Sequence, residues 1–210
     1  MNKELFKNIL KPTLMLGAFA FAGVLLLSIV NQQTLQRIVD NERAAMMKLL
    51  MEVIDIDSHD NDLVNDSIEL AAEGFQSSKP VTVYRARKQG QPSAAIFVTN
   101  TLKGYKGSIK IIIGVRMDNT LSGVRVVQHN ETPGLGDKME TRKSSWILAF
   151  DNTSLQRPEL SKWGVKKDNG YFDQFTGATI TPRAIVRAVR DVLLWTNKKD
   201  NLASVFTQQK

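Results

Sequence analysis

SIKIIIGVRM, residues Ser108–Met117, followed after Asp118-Asn119 by GVRVVQ, residues Gly123–Gln128, reads as two strands joined by a turn. Branched apolar residues dominate both segments, and Asp-Asn supplies the turn chemistry between them. Upstream, Val81–Lys88 (VTVYRARK) and Ala94–Thr99 (AAIFVT) form a second strand pair around the turn signal Gln89-Gly90-Gln91-Pro92. Gly104-Tyr105-Lys106-Gly107 separates the two pairs. Downstream the pattern turns helical. Lys138–Phe150 (KMETRKSSWILAF) is compatible with a helix that buries Trp146, Ile147 and Phe150. Thr181-Pro182 opens the best-signalled helix, with Thr at the N-cap and Pro at the first helical position. Its apolar residues Ile185, Val186, Val189, Val192 and Leu193 repeat at helical spacing through Trp195. Antiparallel strands early and helices late predict an α+β domain over residues 67–199.

Ahead of that domain, Pro12–Val30 reads PTLMLGAFAFAGVLLLSIV without a charge, close to the roughly 20 residues a membrane-spanning helix needs. Lys3, Lys7 and Lys11 precede it against Glu4, which places the N-terminus in the cytoplasm and the remainder outside. A cleaved signal peptide is the competing reading, since Ala20-Phe21-Ala22 mimics a small-x-small cleavage site. That tripeptide interrupts the apolar run in its middle, however, which favours a retained anchor. Residues 1–31 are thus a cytoplasmic stub and transmembrane helix. Residues 32–66 follow as an amphipathic helix over 35–56 and an acidic loop, DSHDNDLVND at 57–66. The helix serves either as a simple stalk or as a surface against the domain or a partner subunit. Residues 200–210 read as a C-terminal tail.

Composition removes several classes of function. Of 210 residues, Lys plus Arg number 28 and Asp plus Glu 21, a net charge of +7, and 42% are hydrophobic. No cysteine occurs, which excludes disulfides, cysteine-ligated iron–sulfur clusters, thiolate nucleophiles and haem attachment through Cys-x-x-Cys-His. Only His59 and His129 could contribute imidazole, too few for a zinc site, so no metal site is expected. The lysines are scattered and form no recognisable nucleic-acid module. Any electrons this chain handles must ride on an organic cofactor.

Two motifs carry the chemistry. His129–Gly136, HNETPGLG, follows a strand; Pro133 fixes a turn, and Gly134 and Gly136 let backbone amides approach a flat heterocycle. The same composition also makes a plain connector. Asp173–Thr181, DQFTGATIT, runs into the Thr181 helix. There Thr179 stands just before a helix start, whose free N–H groups and dipole favour an anion. Gly177 and Ala178 leave its hydroxyl open, and Arg183 stands one turn in, within reach of a phosphate. The bland alternative is a capped helix start without a ligand.

Asp-x-x-Thr-Gly-Ala-Thr, ETPGLG and Gly-Tyr-x-Gly together resemble the G-subunit family of Rnf electron-transport complexes. Their relative is the C subunit of sodium-translocating NADH:quinone reductase. Lys166-Lys167-Asp168-Asn169-Gly170, leading into the second motif, also fits, and the likeness extends to about residue 197. The resemblance implies FMN bound covalently by a phosphoester to Thr179, with Thr176, Gly177 and Ala178 around it and Glu131, Thr132, Pro133, Gly134, Leu135 and Gly136 beside the flavin. Asp173 matches the aspartate used with a separate flavin transferase, which takes FMN from FAD. The resemblance further implies an electron relay without an active site of its own. Its setting is the bacterial inner membrane, with the domain on the periplasmic side. Membrane and iron–sulfur subunits are its neighbours, in a complex coupling ferredoxin and NAD chemistry to ion movement. The same flavin chemistry could instead reduce an iron–sulfur regulator, or the chain could be a non-redox assembly module. No nicotinamide fingerprint of the G-x-G-x-x-G type is present.

Overall fold

The computed structural model describes residues 3–75, 77 and 79–208. Met1 and Asn2 of the expected stub, and Gln209 and Lys210 of the expected tail, lie outside the described residues. Strands β1 (Ser67–Leu70), β2 (Val81–Lys88), β3 (Gln91–Gly104), β4 (Gly107–Arg116) and β5 (Leu121–Gln128) form one antiparallel sheet in sequence order. Helix α1 is Lys3–Met51, α2 is Ile180–Thr196 and α3 is Asn201–Thr207. The α+β class inferred from the pattern is the class observed.

Alternation explains the sheet. Val83, Phe97, Ile111 and Ile113 point to one face, while Ala86, Ile96, Val98 and Ile112 point to the other. Ile185, Val189 and Leu193 of α2 close the first face; Leu50, Val53, Ile54 and Leu63 close the second. With both faces covered, consecutive residues of β4 are all buried, so Ile111-Ile112-Ile113 reads as an unbroken apolar run. The β2–β3 turn consists of Gln89 and Gly90, both at positive φ (52° and 75°), as a type I′ hairpin requires. β3 therefore begins at Gln91, earlier than the AAIFVT segment suggests. Pro92 sits inside it, opposite Arg87, where the register shifts by a bulge.

The chain divides into two compact units, 1–45 and 46–210. In the first, α1 leaves Leu14, Leu16, Phe19, Phe21 and Leu27 exposed, and among the described residues it is the one helix long and apolar enough to cross a membrane. No break separates the apolar run from the amphipathic stretch: one helix continues to Met51 and stops short of the expected Ile56. It stops there because the next residues are seated on the sheet. The Ser122 hydroxyl donates to the Val53 carbonyl, and Val53 lies directly over Gly114 and Gly123.

The second unit begins at Met46, ahead of the expected residue 67, because Leu50, Val53 and Ile54 belong to its core. It also extends past residue 199. Leu202, Val205 and Phe206 of α3 are buried, and Arg85 and Arg87 hold its C-terminal carbonyls. Both guanidiniums share the Asp66 carboxylate. The expected helix over Lys138–Phe150 is replaced by two single 3-10 turns, Gly136–Met139 and Trp146–Phe150. Serine chemistry breaks it: the Ser144 hydroxyl donates to the Lys138 carbonyl and accepts the Trp146 N–H. Ile147 and Phe150 are nevertheless buried, and Trp146 partly so.

A Cβ placed on Gly114 would lie 2.2 Å from Ser122 Oγ and 2.5 Å from the Val53 carbonyl oxygen. Gly114→Ala is therefore expected to lift residues 50–54 off the sheet and destabilise the unit by about 1–3 kcal/mol. Urea denaturation of the detergent-solubilised full chain, followed by tryptophan fluorescence, measures this.

Candidate functional site

The two motifs meet at the start of α2, each shaped by the same kind of turn. In Thr132-Pro133-Gly134-Leu135, the Leu135 N–H donates to the Thr132 carbonyl at 3.1 Å and Gly134 has φ +78°. In Phe175-Thr176-Gly177-Ala178, the Ala178 N–H donates to the Phe175 carbonyl at 3.1 Å and Gly177 has φ +81°. Positive φ at the third position is the type II turn, which favours glycine there. The turns touch: a Cβ on Gly177 would lie 3.4 Å from Leu135 Cδ2.

Between them opens a cleft of about 210 Å³ lined by Tyr105, Glu131, Thr132, Leu135, Gly136, Gly177, Ala178, Thr179 and Ile180. Seven of the residues singled out from sequence thus share one surface. Pro133, Gly134 and Thr176 shape the turns without lining the cleft, and Asp173 lies outside it, exposed and ion-paired to Lys166 at 2.6 Å. Ile180 falls inside DQFTGATIT without a role assigned from sequence, and Tyr105 is legible only as the centre of Gly-Tyr-x-Gly.

Thr179, not Thr181, stands at the N-cap of α2, and its side chain makes no capping bond. Thr181 cannot cap because its fully buried hydroxyl donates to Glu131 Oε2 at 2.5 Å. Pro182 still falls in the first turn, where its missing N–H costs no helical bond. Arg183 does not reach toward the cleft as expected: its Nε and an NH2 group engage both Asp168 oxygens at 2.6 Å. This bidentate pair raises the Arg183 pKa and holds the Asp168 carboxyl below its ordinary range.

Glu131 is buried, and its Oε1 accepts the Lys106 N–H at 3.0 Å. The Glu131 N–H donates to His129 Nδ1 at 3.1 Å, so His129 carries its proton on Nε2, facing Glu140 Oε1 at 3.0 Å. Arg142 holds the Glu140 carboxyl below the usual carboxylate range; burial opposes and His129 assists. The Gly134 N–H does the same for Asp137, with burial opposing and Lys143 assisting. Trp146 braces the second turn: Nε1 donates to the Asp173 carbonyl at 2.8 Å, and its ring meets Phe175 edge-on at 4.9 Å.

The cleft is smaller than the roughly 300–1,000 Å³ of pockets that enclose most of a ligand. Tyr105, Leu135 and Ile180 stand exposed at its rim. The residues present suit FMN: the Thr132 and Thr179 hydroxyls would offer polar contacts inside the cleft, and Tyr105, Leu135 and Ile180 would offer apolar surface to a flat ring.

Fold and cleft define an FMN-binding domain joined to a long apolar helix. The FMN-binding domain family matches residues 104–194, and the RnfG N-terminal region matches residues 1–53. The chain belongs to the G-subunit family of ion-translocating oxidoreductase (Rnf) complexes. It is 42% identical over 192 residues to the G subunit of the ion-translocating oxidoreductase complex of Shewanella loihica, covering 91% of each chain. It is 44% identical over 196 residues to the Pseudomonas aeruginosa homologue of that subunit, covering 92% of this chain and 91% of that one. The Vibrio cholerae homologue is 39% identical over 188 residues, 90% of each chain. The chain is a flavoprotein component of a membrane electron-transport complex.

A carboxylate held below its ordinary pKa contributes stability above its unfolded-state pKa and loses it as pH falls through the folded one. Asp137→Asn is expected to speed amide exchange across residues 134–140 at neutral pH. Wild type should reach comparable exchange, after correction for the intrinsic pH dependence, only below the ordinary carboxylate range. Hydrogen–deuterium exchange against pH measures both.

Proposed function

We propose that this chain carries FMN as a phosphoester on Thr179 Oγ1 and relays electrons between neighbouring subunits of its complex. The observation that carries the reading is the Thr179 hydroxyl itself: half-buried in the cleft, at a helix N-cap, and without a hydrogen-bond partner among the described residues. FMN supplies the redox centre when bound. The two type II turns and the rim side chains Tyr105, Leu135 and Ile180 position it at the surface, within reach of a partner. Asp173, exposed beside Lys166, suits recognition by the flavin transferase that takes FMN from FAD. A covalent tether keeps the site occupied where free FMN is scarce, because effective concentration replaces bulk concentration.

Residues 1–31 serve as the anchor in the bacterial inner membrane. Lys3, Lys7 and Lys11 favour a cytoplasmic N-terminus, which puts the flavin domain on the periplasmic side. The relay operates among membrane and iron–sulfur subunits of a complex linking ferredoxin and NAD chemistry to ion movement.

Wild type matured with the transferase is expected to gain the mass of FMN less water on the peptide containing Thr179, and the colour should survive SDS. Thr179→Ala should lose both. Intact-mass and peptide mass spectrometry check this, and an unmodified Thr179 in the mature complex sinks the proposal.

A further inference from the structure

Three threonines lie within six residues of the attachment segment: Thr176, Thr179 and Thr181. The motif marks Thr179 by its position, but residue type alone does not separate the three. Thr176 stands exposed on the type II turn, and Thr179 lines the cleft. Thr181 is fully buried with its proton committed to Glu131 Oε2.

The Glu131 carboxylate has little freedom to turn elsewhere. A Cβ on Gly136 would lie 2.8 Å from Oε2, and one on Gly104 would lie 2.9 Å from Oε1. Its two oxygens therefore join two segments of chain, the β3–β4 turn at Lys106 and the first turn of α2 at Thr181. A carboxylate at the start of a helix also suits the positive end of the dipole. Holding Thr181 inward sets the rotation of that first turn. Two residues back, the same rotation turns Thr179 toward the cleft.

We infer that Glu131 is the positioning residue that selects Thr179 as the flavin acceptor, by pinning the Thr181 hydroxyl and with it the first turn of α2. The inference rests on the function proposed above. In the transfer, a P–O bond forms at Thr179 Oγ1 and the pyrophosphate P–O bond of the flavin dinucleotide breaks. The nucleoside monophosphate leaves, and the threonine proton goes to solvent. Glu131 takes no part in that exchange; it presents the hydroxyl that does.

The test is the rate and site of flavin loading of the full-length chain in membranes containing the transferase, read by intact mass and peptide mapping. Thr181→Val removes the donor while keeping the side chain's shape. Glu131→Gln leaves one acceptor oxygen where two are needed. Each should slow loading at Thr179 about tenfold, the rate equivalent of leaving one buried hydrogen-bonding group unmatched. Thr181→Ser, which restores the donor, should recover the wild-type rate. The Glu131→Gln/Thr181→Val double variant should fall no further than either single change, because both break one interaction. Thermal melting of each unloaded chain identifies variants that fail to fold, and the Val/Ser pair at 181 carries the test if Glu131→Gln does. Wild type loaded at Thr179 with Thr181→Val loading equally fast overturns the inference alone. Wild type without flavin on Thr179 overturns the proposed function and the inference with it.

Discussion

Everything in the larger unit follows from the burial of β3 and β4 on both faces. Alternate side chains of these strands point in opposite directions, and both sets are apolar, so neither face can be left to water. One set requires α2 above it, and the other requires residues 46–63 beneath. α2 is thereby held across the sheet, with its first turn next to the chain leaving β5. HNETPGLG and TGAT, some forty residues apart in sequence, become neighbours because one follows β5 and the other begins α2.

At that junction the chain uses the same device twice. Two type II turns, each with glycine at the positive-φ position, bring backbone close to one small cleft. Buried Glu131 ties the β3–β4 turn and the helix start together with hydrogen bonds to Lys106 and Thr181. The apolar rim of Tyr105, Leu135 and Ile180 stays exposed, which suits an electron carrier: its redox group has to be reached by partners rather than sealed away. Two cations near the site are already paired. Arg183 is committed to Asp168, and Lys166 to Asp173.

Much of this was legible because periodicity reports burial. Alternation marked β2 and β5, a run of branched apolar residues marked β4, and the 3.6-residue repeat marked α2. Two of the misreadings share one cause, a side chain making a non-local or competing hydrogen bond. Ser144 broke the expected helix at 138–150 by bonding Lys138. Glu131 took Thr181 away from capping α2, which moved the N-cap to Thr179. The sheet itself stopped α1 at Met51, since Val53 lies over glycines that allow close approach. α3 is short, and its place depends on Arg85 and Arg87 reaching its last carbonyls from another strand.

The amino-acid order by itself determined the α+β class, the apolar N-terminal span, the absence of cysteine chemistry and the two glycine-bearing motifs, since each depends on local pattern or composition. Which threonine faces the cleft, which carboxylate is buried beside it and which arginine is already paired were decided only by the tertiary structure. Those outcomes depend on contacts between residues far apart in the chain, and a linear pattern holds no distance between them.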